Sequence, residues 1–165
     1  MEEYIRQSAY RPNVAIVLCN KQAQVLWARR TRRDGWQFPQ GGIAPNETSD
    51  EAAYRELEEE LGLKRCHVRL IGSTNQWFQY DIPRKYLRNR YLSRFRGQTQ
   101  KWFLFEFIGK ESDFCLDCSS HPEFDDWKWV DYRSAADRVV SFKQAVYRDA
   151  LAELEPYLGC IRENE

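Results

Sequence analysis

Apolar and polar positions divide the chain into short extended runs and two amphipathic helices. Val14 to Cys19 is an unbroken apolar run of strand length, Asn20 to Gln24 is polar and turn-like, and Val25 to Ala28 returns as the second arm of a hairpin. Val68 to Ile71, Trp77 to Tyr80, Trp102 to Ile108 and Trp127 to Val130 are rich in the β-branched and aromatic side chains that suit strands. The period changes after Thr48. There Ala53, Leu57 and Leu61 recur at four-residue steps, Thr48-Ser49-Asp50-Glu51 has the form of a capping box, and Gly62 supplies a helix stop. A second capped helix is expected from Ser141-Phe142-Lys143-Gln144 onward, with Val146, Ala150, Leu151 and Leu154 on one face and Pro156 limiting its end. The eight residues Gly35 to Gly42 hold three glycines and a proline, which predicts a loop with special backbone geometry rather than a regular element. Strands interrupted by one helix and closed by another predict an α/β sandwich.

Composition narrows this picture without changing it. At 165 residues, 42% hydrophobic and 15% aromatic, the chain has the apolar content for one sizeable core, and extended disorder is excluded for most of its length. No apolar run approaches the ~20 residues that cross a bilayer, and Met1-Glu2-Glu3-Tyr4 lacks the basic-then-apolar order of a secretory signal. The expectation is a soluble, cytoplasmic protein. Five cysteines are an odd number in a chain that needs no staples, which fits a reducing compartment. Cys115 and Cys118, with His121 nearby, have a zinc-like spacing, but His67 is the only other histidine and lies far off in sequence; the segment is expected to be an ordinary loop.

Charge adds more. The net charge is zero, yet there is no acid between Ile82 and Phe105, where Arg84, Lys85, Arg88, Arg90, Arg94, Arg96 and Lys101 interleave with Tyr86, Tyr91, Phe95 and Trp102. Arg29, Arg30, Arg32 and Arg33 form a second basic cluster, whereas Glu47 to Glu60 carries seven acids against the single Arg55. A lone charge run is usually a solvated face. Opposite runs in one small domain, with aromatics among the cations, offer what single-stranded nucleic acid needs for stacking and phosphate contact.

Glu56, Glu59 and Glu60 stand at i, i+3 and i+4 on the first helix, so they project from one face while Glu58 turns away. Such a face is either solvated or a site for a hard divalent cation, since Mg²⁺ is held by a few carboxylates together with substrate phosphates. The glycine loop just before the helix favours the cation, because a phosphate beside it needs close backbone approach.

These residues carry a resemblance. Gly41, then Glu47, then Arg55-Glu56-Leu57-Glu58-Glu59-Glu60-Leu61-Gly62-Leu63 satisfies every fixed position of the Nudix box. Tyr10 to Val14, Val25 to Arg30, Trp36 to Gly42, Gln100 to Phe103, Pro122 to Asp125 and Val139 to Lys143 further resemble the bacterial RNA 5′-pyrophosphohydrolase subfamily, also described as dinucleoside polyphosphate hydrolases. The resemblance implies a Nudix-type α/β/α sandwich with a mixed β-sheet and a C-terminal helix, as a single domain over residues 8–158 with tails at 1–7 and 159–165. It implies Mg²⁺ or Mn²⁺ on Glu56, Glu59 and Glu60, catalysis by Glu56, Glu60 and Glu123, and motif roles for Gly41, Gly42, Glu47, Arg55 and Gly62. Arg55 is expected to orient a glutamate, and Glu47 to serve the loop and helix start. Arg30, Tyr80, Phe142 and Lys143 are implied as RNA contacts, although Tyr80 and Phe142 read equally well as core. Gly35 departs from relatives that place a side chain near the RNA. The implied activity removes pyrophosphate from triphosphorylated, or phosphate from diphosphorylated, RNA 5′ ends and so promotes decay. A dinucleoside polyphosphate such as diadenosine tetraphosphate is the alternative substrate, and a nucleotide-sensing module without hydrolysis is a further alternative that the clustered carboxylates disfavour.

Overall fold

A computed structural model describes residues 9–87 and 94–162 of the chain. Eight strands form one sheet: β1 (Tyr10–Cys19), β2 (Gln24–Arg30), β3 (Trp36–Gln37), β4 (Gln40–Gly42), β5 (Val68–Ser73), β6 (Phe78–Asp81), β7 (Gly97–Phe107) and β8 (Phe124–Asp131). The path runs β3-β2-β1-β7-β5, with β4 on β1, β6 on β7 and β8 on β2. The central pair β1 and β7 is parallel, in register from Tyr10 opposite Gly97 to Cys19 opposite Glu106, while the other pairs are antiparallel, so the sheet is mixed.

Both faces of β1 are covered, which is why its apolar run is continuous rather than alternating. Val14, Ile16 and Leu18 point to one side, where they pack with Ala52, Ala53, Leu57 and Leu61 of helix α1 (Ser49–Leu61). Ala15, Val17 and Cys19 point to the other, toward Val146, Tyr147, Ala150, Leu151 and Leu154 on helix α3 (Gln144–Leu154). A four-residue helix α2 (Ala135–Arg138) precedes α3. The result is the expected α/β/α sandwich.

Helix α1 has the bounds that its sequence predicts. Thr48 Oγ1 accepts from the Glu51 backbone N–H at 3.2 Å, the Glu51 carboxylate accepts from the Thr48 N–H at 3.0 Å, and Gly62 closes the helix at φ 72°, a left-handed conformation that glycine adopts without strain.

Three expectations are corrected: for residues 35–42, for the start of helix α3, and for Cys115 and Cys118. Residues 35–42 contain the short strands β3 and β4, because β2 and β1 supply pairing partners that the segment's own composition does not announce. Helix α3 does not begin with a side-chain cap at Ser141: Ser141–Lys143 is a 3-10 turn without a capping side chain, and Lys143 is buried rather than solvated. Past Leu158 the chain makes one more helical turn, α4 (Gly159–Arg162), whose Ile161 is buried in the α3-side core. Cys115 and Cys118 are joined as a disulfide, where an ordinary loop is expected. Arg88, Arg90 and Tyr91 of the basic run, and residues 1–7, lie outside the described residues.

Candidate active site

Arg55 organises the acidic end of the site. Its Nε and Nη2 donate to the two oxygens of Glu47 at 2.7 and 2.8 Å, its Nη1 to Glu56 Oε1 at 2.7 Å and Glu59 Oε2 at 3.1 Å, and its Nη2 also to the Gly42 carbonyl at 2.8 Å. Glu47 further accepts from the Ala44 N–H at 3.0 Å, and the guanidinium holds its carboxyl below the usual range. Glu47 therefore ties the glycine loop to α1, and Arg55 orients two of the three helix carboxylates.

Glu56 and Glu60, one turn apart, are both buried, whereas the Glu59 side chain is 54% exposed. Burial raises the pKa of both buried carboxyls, and for Glu60 the nearby charges of Glu56 and Glu123 push further in the same direction. Glu60 accepts from the Gln40 backbone N–H, but its Oε2 is buried without a hydrogen-bond partner. A Cβ on Gly41 would fall 2.0 Å from the Glu56 carboxyl, so only glycine lets β4 lie this close to the pair. A buried oxygen with no donor, two adjoining carboxyls in a low-dielectric pocket and an all-oxygen donor set fit a hard divalent cation.

Gln40 links this pair to a second, cationic end. Its side-chain oxygen lies 3.5 Å from Lys143 Nζ and accepts from Gln100 Nε2 at 3.1 Å; Lys143 also donates to Gln37 at 3.1 Å, and Gln100 to Asn13 at 2.8 Å. Lys143 Nζ sits over the rings of Tyr80 and Phe142, whose centroids are 6.0 Å apart, and the Tyr86 ring lies 5.3 Å from that of Phe142, tilted by 39°. The Tyr80 hydroxyl donates to Gln98. Burial, with Arg30 and Arg33 nearby, depresses Lys143 to a pKa of about 7, and burial likewise lowers Arg30. Arg30 lies at a bulge between β2 and β8, opposite Phe124. The adjoining Thr31 N–H donates to the Glu123 carbonyl at 2.8 Å, which brings Glu123, exposed just before β8, beside Arg30 and Glu60. Tyr80 is thus mostly core and Phe142 half-exposed over it.

The structure brings Arg30, Tyr80, Phe142 and Lys143 together and joins them through Gln40 to Glu56, Glu60 and Glu123. Sequence reasoning missed the amides Asn13, Gln37, Gln40, Gln98 and Gln100, of which Asn13, Gln37 and Gln100 are buried. Their one signal is polar residues at alternate positions inside a central strand, Gln98 and Gln100 on β7. Phe38 explains why the loop holds its place: its ring is fully buried, edge-on to Trp27 at 5.0 Å and Trp102 at 5.7 Å, and its N–H donates to the Tyr147 hydroxyl at 3.3 Å.

The NUDIX domain profile matches residues 9–150. An RNA pyrophosphohydrolase of Klebsiella pneumoniae (strain 342) is 50% identical over 149 residues, 90% of this chain and 85% of the relative. Another, of Legionella pneumophila (strain Corby), is 47% identical over 154 residues, 93% and 88% of the two chains. The fold is similar to that of E. coli dihydroneopterin triphosphate pyrophosphohydrolase (TM-score 0.61, 21% identity, 88% of this chain and 99% of the other). It is also similar to that of a C. elegans Ap4A hydrolase (TM-score 0.59, 18% identity, 87% and 98%). With the box intact, its carboxylates gathered against the glycine loop and the profile spanning nearly all of the described sheet, the chain belongs to the Nudix hydrolase family.

Proposed function

We propose that this protein is an RNA 5′-pyrophosphohydrolase that converts triphosphorylated, or diphosphorylated, RNA ends to the monophosphate with Mg²⁺ or Mn²⁺, and that it works in the cytoplasm. No helix among the described residues is long and apolar enough to cross a membrane. The observation that carries the reading is the continuity, through Gln40, of a buried carboxylate pair with a cation-and-aromatic cleft. Relatives 47–50% identical over most of their length bear the RNA pyrophosphohydrolase name.

Glu56, Glu59 and Glu60 would hold the metal, which when bound neutralises phosphate charge and polarises the phosphoryl group. Arg55 keeps Glu56 and Glu59 aimed, so their carboxylates need little reorganisation when substrate arrives. Glu123 is exposed beside the pair and not clamped by Arg55, and it takes the proton from the attacking water. Lys143 and Arg30 meet the anionic chain, and Phe142, half-exposed over Tyr80, offers its face to a base. The test compares hydrolysis of a short triphosphorylated RNA with that of diadenosine tetraphosphate at equal enzyme. Faster turnover of the RNA is expected; faster turnover of the dinucleotide overturns the assignment.

A further inference from the structure

The segment between β7 and β8 carries a pair of cysteines that the proposed chemistry does not use. Cys115 is flush against the end of α1: its N–H donates to the Leu61 carbonyl at 2.8 Å, and a Cβ on Gly62 would fall 2.7 Å from its Cβ. Phe114, one residue before, is pinned between Phe107 at 4.9 Å and Trp127 at 4.5 Å. Cys118 is exposed, its Cα is 5.6 Å from that of Cys115, and the two sulfurs are joined. Ser119, Ser120, His121 and Pro122 then lead to Glu123, after which Phe124 is buried again in β8. The chain that delivers Glu123 is therefore anchored at Cys115 on the box helix and at Phe124 in the sheet.

We propose that Cys115 and Cys118 form a reversible thiol–disulfide site that sets the freedom of the segment delivering Glu123. The co-reactant is a low-molecular-weight disulfide of the glutathione type. The exposed Cys118 thiolate attacks one sulfur of that disulfide; its S–S bond breaks, one thiol leaves and takes up a proton, and a mixed disulfide forms on Cys118. The Cys115 thiolate then attacks the Cys118 sulfur, expels the second thiol, and closes the ring. Two electrons pass from the protein to the reagent, and the two protons lost by the cysteines leave on the two released thiols. Excess small thiol reverses both steps. In a reducing compartment an intracellular disulfide is typically transient and sensing rather than structural. Closure ties the four residues Cys115 to Cys118 into a ring, while the anchors at Leu61 and Phe124 stay where they are.

The thiol chemistry is independent of the RNA assignment; only the turnover arm rests on it. The test equilibrates the protein across graded ratios of reduced to oxidised glutathione, traps thiols by alkylation, and locates them by peptide mass. Expected is loss of alkylation at Cys115 and Cys118 together, in one two-electron transition, while Cys66 remains reactive. Turnover of triphosphorylated RNA should differ by at least about twofold between the two ends of the series, as displacement of a reacting group would produce. In Cys118→Ser, and equally in Cys118→Ala, turnover should stay constant across the series. Independent alkylation of the two cysteines at every ratio overturns the site, as does a turnover change that persists in both variants. Asp117 offers a third donor within 4.8 Å of both sulfurs, so zinc is added in a separate arm. Stoichiometric zinc capture by the reduced protein, with no disulfide at any glutathione ratio, overturns the proposal in favour of a metal site.

Discussion

Two buried carboxyls one turn apart on a helix are costly to ionise, and the direction of that cost can be measured. Glu56 and Glu60 have folded pKa values raised above their unfolded ones, chiefly by burial. The stability they contribute is present at low pH and is lost as pH rises through the raised folded values, so the metal-free protein is weakest where both ionise. A bound cation removes that penalty. Mg²⁺ should therefore raise the melting temperature more at neutral pH than at about pH 5. Glu60→Gln should abolish most of that gain and lower turnover at least roughly a hundredfold while leaving the metal-free fold intact; calorimetry with and without a chelator, beside a steady-state assay, checks both. Lys143 titrates in the opposite sense. Its folded value of about 7 means that the free protein already carries the charge below that pH and must take up a proton to meet an anion above it. KM for triphosphorylated RNA should be flat below about pH 7 and rise up to about tenfold per unit above it. Lys143→Met should have a higher KM with that slope removed. Glu123→Gln should lower kcat more than it weakens RNA binding, because a group acting on the reacting water contributes mainly in the transition state. Unchanged kcat with weaker binding, read by pre-steady-state kinetics and filter binding, would make it a positioning residue.

Among the elements, the box helix was fully readable because its instructions are local: a cap, a four-residue apolar step and a glycine stop all sit within the segment. Strands β3 and β4 were not, since two or three residues become extended only when β2 and β1 offer their edges. At the start of α3, Ser141 resembles a cap in sequence, whereas the inward turn of Lys143 toward Gln37 and Gln40 decides the geometry. For the same reason Glu56, Glu59, Glu60 and Arg55 could be found by spacing, while Gln40 and Gln100, single polar residues meeting from β4 and β7, could not. Phe38 gives an element-level prediction. Its ring holds the glycine loop between Trp27 and Trp102, so Phe38→Ala should cost about 3–5 kcal/mol by chemical denaturation. Turnover should fall in the fraction that remains folded, because Gly41 and Gln40 lose their seat beside Glu56 and Glu60.

For the whole molecule, the buried carboxylate pair and the Lys143–Phe142 cluster are joined through Gln40, and an RNA of several nucleotides offers bases and phosphates that a mononucleotide lacks. kcat/KM should improve from a triphosphorylated mononucleotide to an RNA of a few nucleotides, and the gain should shrink as salt rises. Phe142→Ala should erase roughly 1–3 kcal/mol of it if a base stacks there. A length series at two salt concentrations measures both effects. The parallel register of β1 with β7 has a consequence during synthesis. Strand β1 leaves the ribosome long before its central partner β7, so no stretch of nascent chain ending before Phe107 can complete the middle of the sheet. Until then Val14 to Cys19 is an apolar segment without its principal neighbour, exposed in that interval to the edge pairing from which aggregation starts.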